Sequence, residues 1–184
     1  MKSLHLLALI LLFSLLPMAN GNLYAQSDSP DQGEPAARDE VVLGWVQNIR
    51  LLPSRMLMKA KLDSGAKSNA IHAEDIEEYM EDGKEMVRFK ILKDHYDPGS
   101  ESVVIERPLV REVNIKIRNT DARESRLAVR LEFCLAGEIY NTVFTLANRA
   151  NFNYPVLLGR DFLKNKILVD SSQSFTHRVE CPRR

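Results

Sequence analysis

The sequence predicts a mainly β domain, a barrel or sandwich of short strands with one or two short helices. Three observations carry this. Apolar and polar residues alternate through most of the chain between Val41 and Val169, the period of half-buried strands. Turn signals such as Pro53-Ser54, Pro98-Gly99 and Ala136-Gly137 separate these runs. Helical spacing appears only in two short stretches, 73–81 and 160–164. No internal repeat is visible.

Taken in order, residues 41–46 are apolar or small, and 41–49 suits a strand. Leu51-Leu52-Pro53-Ser54 turns the chain, and residues 56–62 form a second strand that ends in Asp63-Ser64-Gly65. Residues 73–81 are acidic, with Ile76, Tyr79 and Met80 at helical spacing, and predict a short amphipathic helix stopped by Asp82-Gly83. Residues 85–92 alternate again, with Val87, Phe89 and Ile91 opposite Met86, Arg88 and Lys90. Residues 93–100 make a polar turn. Strands follow at 101–107, 110–117, 126–135 and 138–146, the last two joined by the hairpin signal Ala136-Gly137. Strands at 154–158 and 166–169 complete the set, with one helical turn at 160–164 between them.

The flanks carry no fold. Lys2 followed by an apolar run over 4–16, ended by Pro17, has the form of a secretory signal, with preferred cleavage after Ala25. The run is about 13 residues, short for a bilayer span of about 20, and no cysteine stands near the cleavage site. The expectation is a periplasmic or secreted protein with no membrane span after cleavage. Residues 26–40 are rich in Ser, Asp, Pro, Gly and Ala and read as a disordered linker. The expected domain covers 41–176, with a C-terminal tail at 177–184.

The chain has 184 residues, with 25 basic and 25 acidic side chains. That is one domain's worth of sequence, long enough to bury a core. Its near-zero charge and scattered basic residues give no footprint for nucleic acid. Of the two cysteines, Cys134 falls on the polar face of an alternating strand and Cys181 lies in the tail. They could pair in an oxidising compartment or both stay free, and sequence leaves both open.

Two strings narrow the function. Asp63-Ser64-Gly65 closes a strand, and its plain reading is a tight turn in which Asp and Ser bond nearby backbone groups. About a hundred residues later, Leu157-Leu158-Gly159-Arg160 runs from an apolar strand into a short helix. In this order and at this separation, the strings resemble the retropepsin-like aspartic peptidases. With Ala60 to Ala73 and Val169-Asp170-Ser171 included, they are similar to a bacterial RimB-like branch labelled ATP-dependent zinc proteases and related to proteins found beside ATP-grasp ligases. The resemblance spans roughly residues 41–176.

The resemblance implies a closed six-stranded barrel, the single-lobed acid-protease fold. It implies that Asp63 is the catalytic carboxylate, with Ser64, Gly65, Gly159 and Arg160 supporting its loop. Peptide hydrolysis by carboxylates needs two of them sharing one proton, so that one activates water and the other protonates the scissile carbonyl. The chain has a single Asp-Ser-Gly. The second Asp63 must therefore come from a second copy, and the expected assembly is a homodimer acting on a peptide or protein substrate. The alternative is a non-catalytic module of the same fold that binds a peptide or partner.

Two departures stand out. Where viral relatives carry a second Asp four residues after the first, this chain has Lys67, so Arg160 lacks that acidic partner. Residues 93–100 fall where a flap would lie but hold only one glycine, Gly99, and suit a plain turn. The residues themselves give no cofactor and no metal. There is no His-Glu-x-x-His, no Cys-x-x-Cys and no phosphate-binding Gly-x-x-x-x-Gly-Lys. His72 reads as a packed or hydrogen-bonded residue.

Overall fold

The structure is a computed structural model that describes residues 40–116 and 123–182. The expected signal segment and the linker up to residue 39 lie outside the described residues. The elements run β1 (Val41–Leu51), β2 (Met56–Leu62), β3 (Asn69–His72), β4 (Glu74–Glu81), β5 (Lys84–Leu92), β6 (Ser102–Lys116), β7 (Arg123–Leu135), β8 (Glu138–Ala147), β9 (Val156–Leu158), α1 (Arg160–Leu163) and β10 (Ile167–Ser174). The architecture is mainly β, as the alternation predicts. Among the described residues no helix is long and apolar enough to cross a membrane.

Six strands close on themselves in the order β1-β2-β9-β3-β8-β7. The closing pair is β1 with β7, where Arg50 faces Cys134 and Leu51 faces Phe133. Beyond the ring, β10 adds in parallel outside β1, and β6, β5 and β4 continue the sheet outward from β7. A closed ring leaves no free edge within itself, and the added strands cover its flanks.

The core fills the ring. Met56, Met58, Ala60 and Leu62 on β2 are all buried, and they meet Leu43, Leu131, Phe133, Phe144, Val156 and Phe162. Successive side chains of a strand point to opposite faces. Burying the even-numbered residues of β2 therefore sends Leu57, Lys59 and Lys61 outward, and Asp63 leaves the strand on that same outer side. At roughly 1.5–3 kcal/mol for each fully buried large apolar side chain, this face holds β2 in register.

Three expectations need correction. Residues 73–81 do not form a helix: they are the edge strand β4. Asp82 and Gly83 both have positive φ, at 47° and 74°, and make the two-residue hairpin turn that asks for Asp-Gly. The acids of β4 then meet the bases of β5, Glu77 with Arg88 at 2.8 Å and Asp75 with Lys90 at 2.8 Å. That cross-strand pairing outweighs a weak helical period. Ser102–Lys116 forms one long strand where two, at 101–107 and 110–117, were expected. Pro108 sits at the handover, with its pairing to β5 ending at Met86 and that to β7 starting at Leu109. A proline is tolerated where a ladder changes partner beside a register shift.

The third correction is Cys134, which is fully buried although strand alternation puts it on the polar face. β1 crosses it on one side, and the tail covers it through a disulfide to Cys181, with Cα atoms 5.8 Å apart. The tail is accordingly strapped down. Thr176 Oγ1 accepts from Gly44 N at 3.1 Å and Gln47 Nε2 at 2.9 Å, and His177 N donates to Gln47 Oε1 at 3.4 Å.

Candidate active site

Asp63 leaves β2 at the point where β9 ends beside it, and its N–H donates to Leu158 O at 2.8 Å. The chain then turns. Asp63 Oδ1 accepts from Gly65 N at 2.9 Å and Ala66 N at 3.3 Å, and Oδ2 accepts from Lys61 Nζ at 2.9 Å. This is the aspartate-led turn the tripeptide predicts, with the lysine two residues earlier on the same strand face. The Asp63 carboxylate stays about 21% exposed. Burial pushes its pKa up, but the Lys61 ammonium and the two amide donors outweigh that, and the pKa lies below the ordinary carboxylate value.

The loop is braced from the end of the neighbouring strand β9. Gly159 packs so closely that a Cβ there would stand 2.6 Å from Ser68 O, so no other residue fits without moving the loop. Gly159 N donates to Asn69 Oδ1 at 2.9 Å, and Asn69 Nδ2 donates to Val143 O at 2.9 Å. Arg160 N and Asp161 N donate to Ala66 O and Lys67 O at 3.0 and 2.9 Å. The Arg160 guanidinium donates to Ser64 O at 3.0 Å and Gly65 O at 2.8 Å. The acidic partner that Lys67 displaces is thus replaced by two backbone carbonyls. Asp63, Ser64, Gly65, Gly159 and Arg160 all come together.

Beside Asp63 lies a cavity of ≈ 420 Å³, lined among others by Trp45, Lys61, Arg149, Phe152 and Tyr154. Asp63 is its one acidic lining residue among those described. Arg149 is only 7% exposed. Its guanidinium stacks over the Phe152 ring at 4.6 Å, and its Nε donates to Tyr154 O at 3.2 Å. Burial lowers its pKa, Arg126 adds to that, and Asp63 opposes it. Trp45 meets Tyr154 edge-on at 5.7 Å.

Sequence reasoning missed Arg149 and the wall that carries it. The signal present was a run with little periodicity, Asn148-Arg149-Ala150-Asn151-Phe152-Asn153-Tyr154, between two apolar strands. Nothing in its spacing says that it folds back over β2.

Residues 93–100 form a turn pinned to this wall. His95 Nε2 lies 2.6 Å from Phe152 O, and Tyr96 Oη donates to the same oxygen at 2.7 Å. His72 is packed and hydrogen-bonded, with its ring 5.6 Å from that of His95. Among the described residues no group of three or more His, Cys, Asp and Glu could hold a metal ion.

Residues 42–180 match the family described as Retropepsin-like aspartic endopeptidase RimB. Over 120 residues the chain is 35% identical to the "Probable alpha-L-glutamate ligase" of Shewanella pealeana, covering 64% of this chain and 25% of that protein. The protein of the same name from Desulfotalea psychrophila is 31% identical over 113 residues, covering 61% and 24%. The chain thus spans about a quarter of the length of these curated relatives. A solved Legionella pneumophila protein of unknown function (DUF785) is similar with a TM-score of 0.63 and 31% identity, covering 74% of this chain and 97% of that one.

Proposed function

The chain belongs to the RimB-like family of retropepsin-like aspartic endopeptidases, and we propose that it hydrolyses peptide bonds as a homodimer in which two Asp63 carboxylates share a proton. One observation carries the reading. A lone, partly exposed carboxylate sits on a loop braced by Gly159 and Arg160, at the mouth of a cavity of ≈ 420 Å³. The ionised Asp63 takes a proton from water, which attacks the scissile carbonyl. The protonated Asp63 of the second copy donates to the carbonyl oxygen.

A surface for the second copy adjoins the loop. Val42 and Leu168 pair across β1 and β10 at 55% and 51% exposure. A shallow pocket joins Leu168 to Ser64, Lys67 and Arg160. Covering this patch with its own symmetry mate would bury exposed apolar surface and bring the two Asp63 loops together.

The cationic groups of the cavity, Lys61 and Arg149, fit a substrate that carries a carboxylate side chain near the cleaved bond. The curated relatives are named as ligases of glutamate, which accords with a site that meets acidic chains. The protein is read as periplasmic or secreted, and the Cys134–Cys181 disulfide accords with an oxidising compartment.

One observation favours the rival reading, a non-catalytic module that binds a peptide or partner. Lys61 holds Asp63 Oδ2 at 2.9 Å while two amides hold Oδ1, so in a single chain the charged form of the carboxylate is favoured. The deciding experiment is light scattering of the protein with peptide cleavage assayed in parallel. A dimer that cleaves on the acidic side of neutrality supports the dyad. A monomer at all concentrations, or cleavage rising steadily to about pH 9, counts against a proton-sharing pair.

A further inference from the structure

The wall opposite Asp63 is anchored at the Arg149 backbone by one imidazole. His72 ends β3 and is 2% exposed. Its N–H donates to Pro155 O at 2.8 Å, and the next amide, Ala73 N, donates to Ala147 O at 3.2 Å. Between these points the chain loops out through residues 148–154. The His72 ring reaches into that loop, where Nδ1 lies 2.9 Å from Arg149 N. A backbone amide only donates, so Nδ1 is the acceptor and carries no proton. The neutral ring then holds its proton on Nε2, which is buried and has no hydrogen-bond partner. Glu74 Oε1 stands 3.5 Å away, too far for a good hydrogen bond.

We propose that neutral His72 is a positioning residue that sets Arg149, Phe152 and Tyr154 against Asp63, and that its protonation in acid releases this wall. The proposal rests on reading the Asp63 cavity as the substrate site. A second proton can go only onto Nδ1, where it would face the Arg149 N–H, two donors with no acceptor between them. Once that bond is lost, the backbone under the Arg149 guanidinium is free to move.

The charged neighbours are Glu74 on β4, His95 in the turn after β5, and Arg149 itself. Glu74 favours the cation, but Lys90 on β5 takes up part of its charge at 3.2 Å. Burial is the largest influence, and it works with His95 and Arg149 against the cation. The His72 pKa lies below the ordinary 6.5. The sign follows. A histidine with a depressed folded pKa costs stability as pH falls below its unfolded value, because the unfolded chain takes up the proton first.

Trp45 is the only tryptophan, and it touches Tyr154 of this wall, so its emission reports the wall without any catalysis. The test is a titration of Trp45 emission from about pH 7 to about pH 4.5 in the wild-type chain, in His72→Asn and in His72→Leu. Asn offers an acceptor near the position of Nδ1 and does not titrate.

The expected result is a wild-type transition with a midpoint below 6.5, a flat His72→Asn profile resembling the neutral form, and acid-like emission of His72→Leu throughout. The same midpoint in His72→Asn, or no wild-type transition, overturns the proposal. Should the variants not fold, the ¹⁵N shifts of the wild-type ring decide. Protonated Nε2 with bare Nδ1 at neutral pH supports it, and the opposite tautomer refutes it. Asp63→Asn should keep the transition, so failure of the peptidase reading and failure of the His72 proposal are told apart.

Discussion

The two walls of the cavity are built differently. The Asp63 loop is held by groups that do not change charge near neutrality: backbone amides, the Asn69 carboxamide and the Arg160 guanidinium. The opposite wall, residues 148–154, is held by the His72 imidazole and by the bonds of His95 and Tyr96 to Phe152 O. One wall presents the carboxylate in a fixed geometry. The other has a titratable anchor at its root. A cavity made this way keeps its chemical group in place while its shape responds to acid.

The contrast can be attacked first at the carboxylate. Asp63→Asn keeps the size of the side chain and removes the ionisable group, so cleavage should fall by about 10²–10⁴-fold with the fold intact. Near-normal kcat/KM with an unchanged melting curve would end the dyad reading.

The rigidity of the first wall is tested next. Gly159→Ala would push a methyl group to 2.6 Å from Ser68 O. The loop must shift, and urea unfolding should show a loss of about 1–3 kcal/mol. An unchanged midpoint would mean that the loop is softer than the bracing implies.

A smaller loss is expected for Arg160→Ala, which removes two hydrogen bonds to loop carbonyls but from an exposed side chain. About 1 kcal/mol is expected. Faster hydrogen exchange should be confined to the Asp63 loop and spare residues 148–154, and spread to both walls would show that they are mechanically one.

The smallest effect belongs to Lys61→Gln. Without the ammonium, Asp63 loses both the hydrogen bond and the charge of Lys61, each of which lowers its pKa, so that pKa, followed by ¹³C NMR, should rise. A carboxylate with a depressed folded pKa adds stability above its unfolded pKa and loses it as pH falls through the folded one. The variant should therefore lose stability near neutrality but not in strong acid. The pair is partly exposed, so the loss should stay below about 1 kcal/mol. A pKa that stays put would assign the shift to the Gly65 and Ala66 amides alone.

Local patterns made much of this legible. Alternation in β2 places Lys61 and Asp63 on one outer face, and Ala136-Gly137 forms the hairpin it signals, with φ of 51° and 90°. The Asp63 loop and Gly159, which the two strings single out, lie side by side in the fold. What misled was equally local. Ile76, Tyr79 and Met80 mimic a helical stripe on a strand whose partners are the bases of β5. The polar-face position of Cys134 says nothing of β1 or of the tail that covers it.

The sequence by itself determined the β character, the outward carboxylate and the turn that presents it. These depend on residues a few places apart, where pleat and turn chemistry act directly. Only the tertiary structure decided that Arg160 braces Ser64 and Gly65, that Cys134 pairs with Cys181, and that His72 holds Arg149 from 77 residues away. Such contacts exist only once the ring has closed, because ring closure brings together strands that are distant in the chain, and no local period encodes which of them will meet.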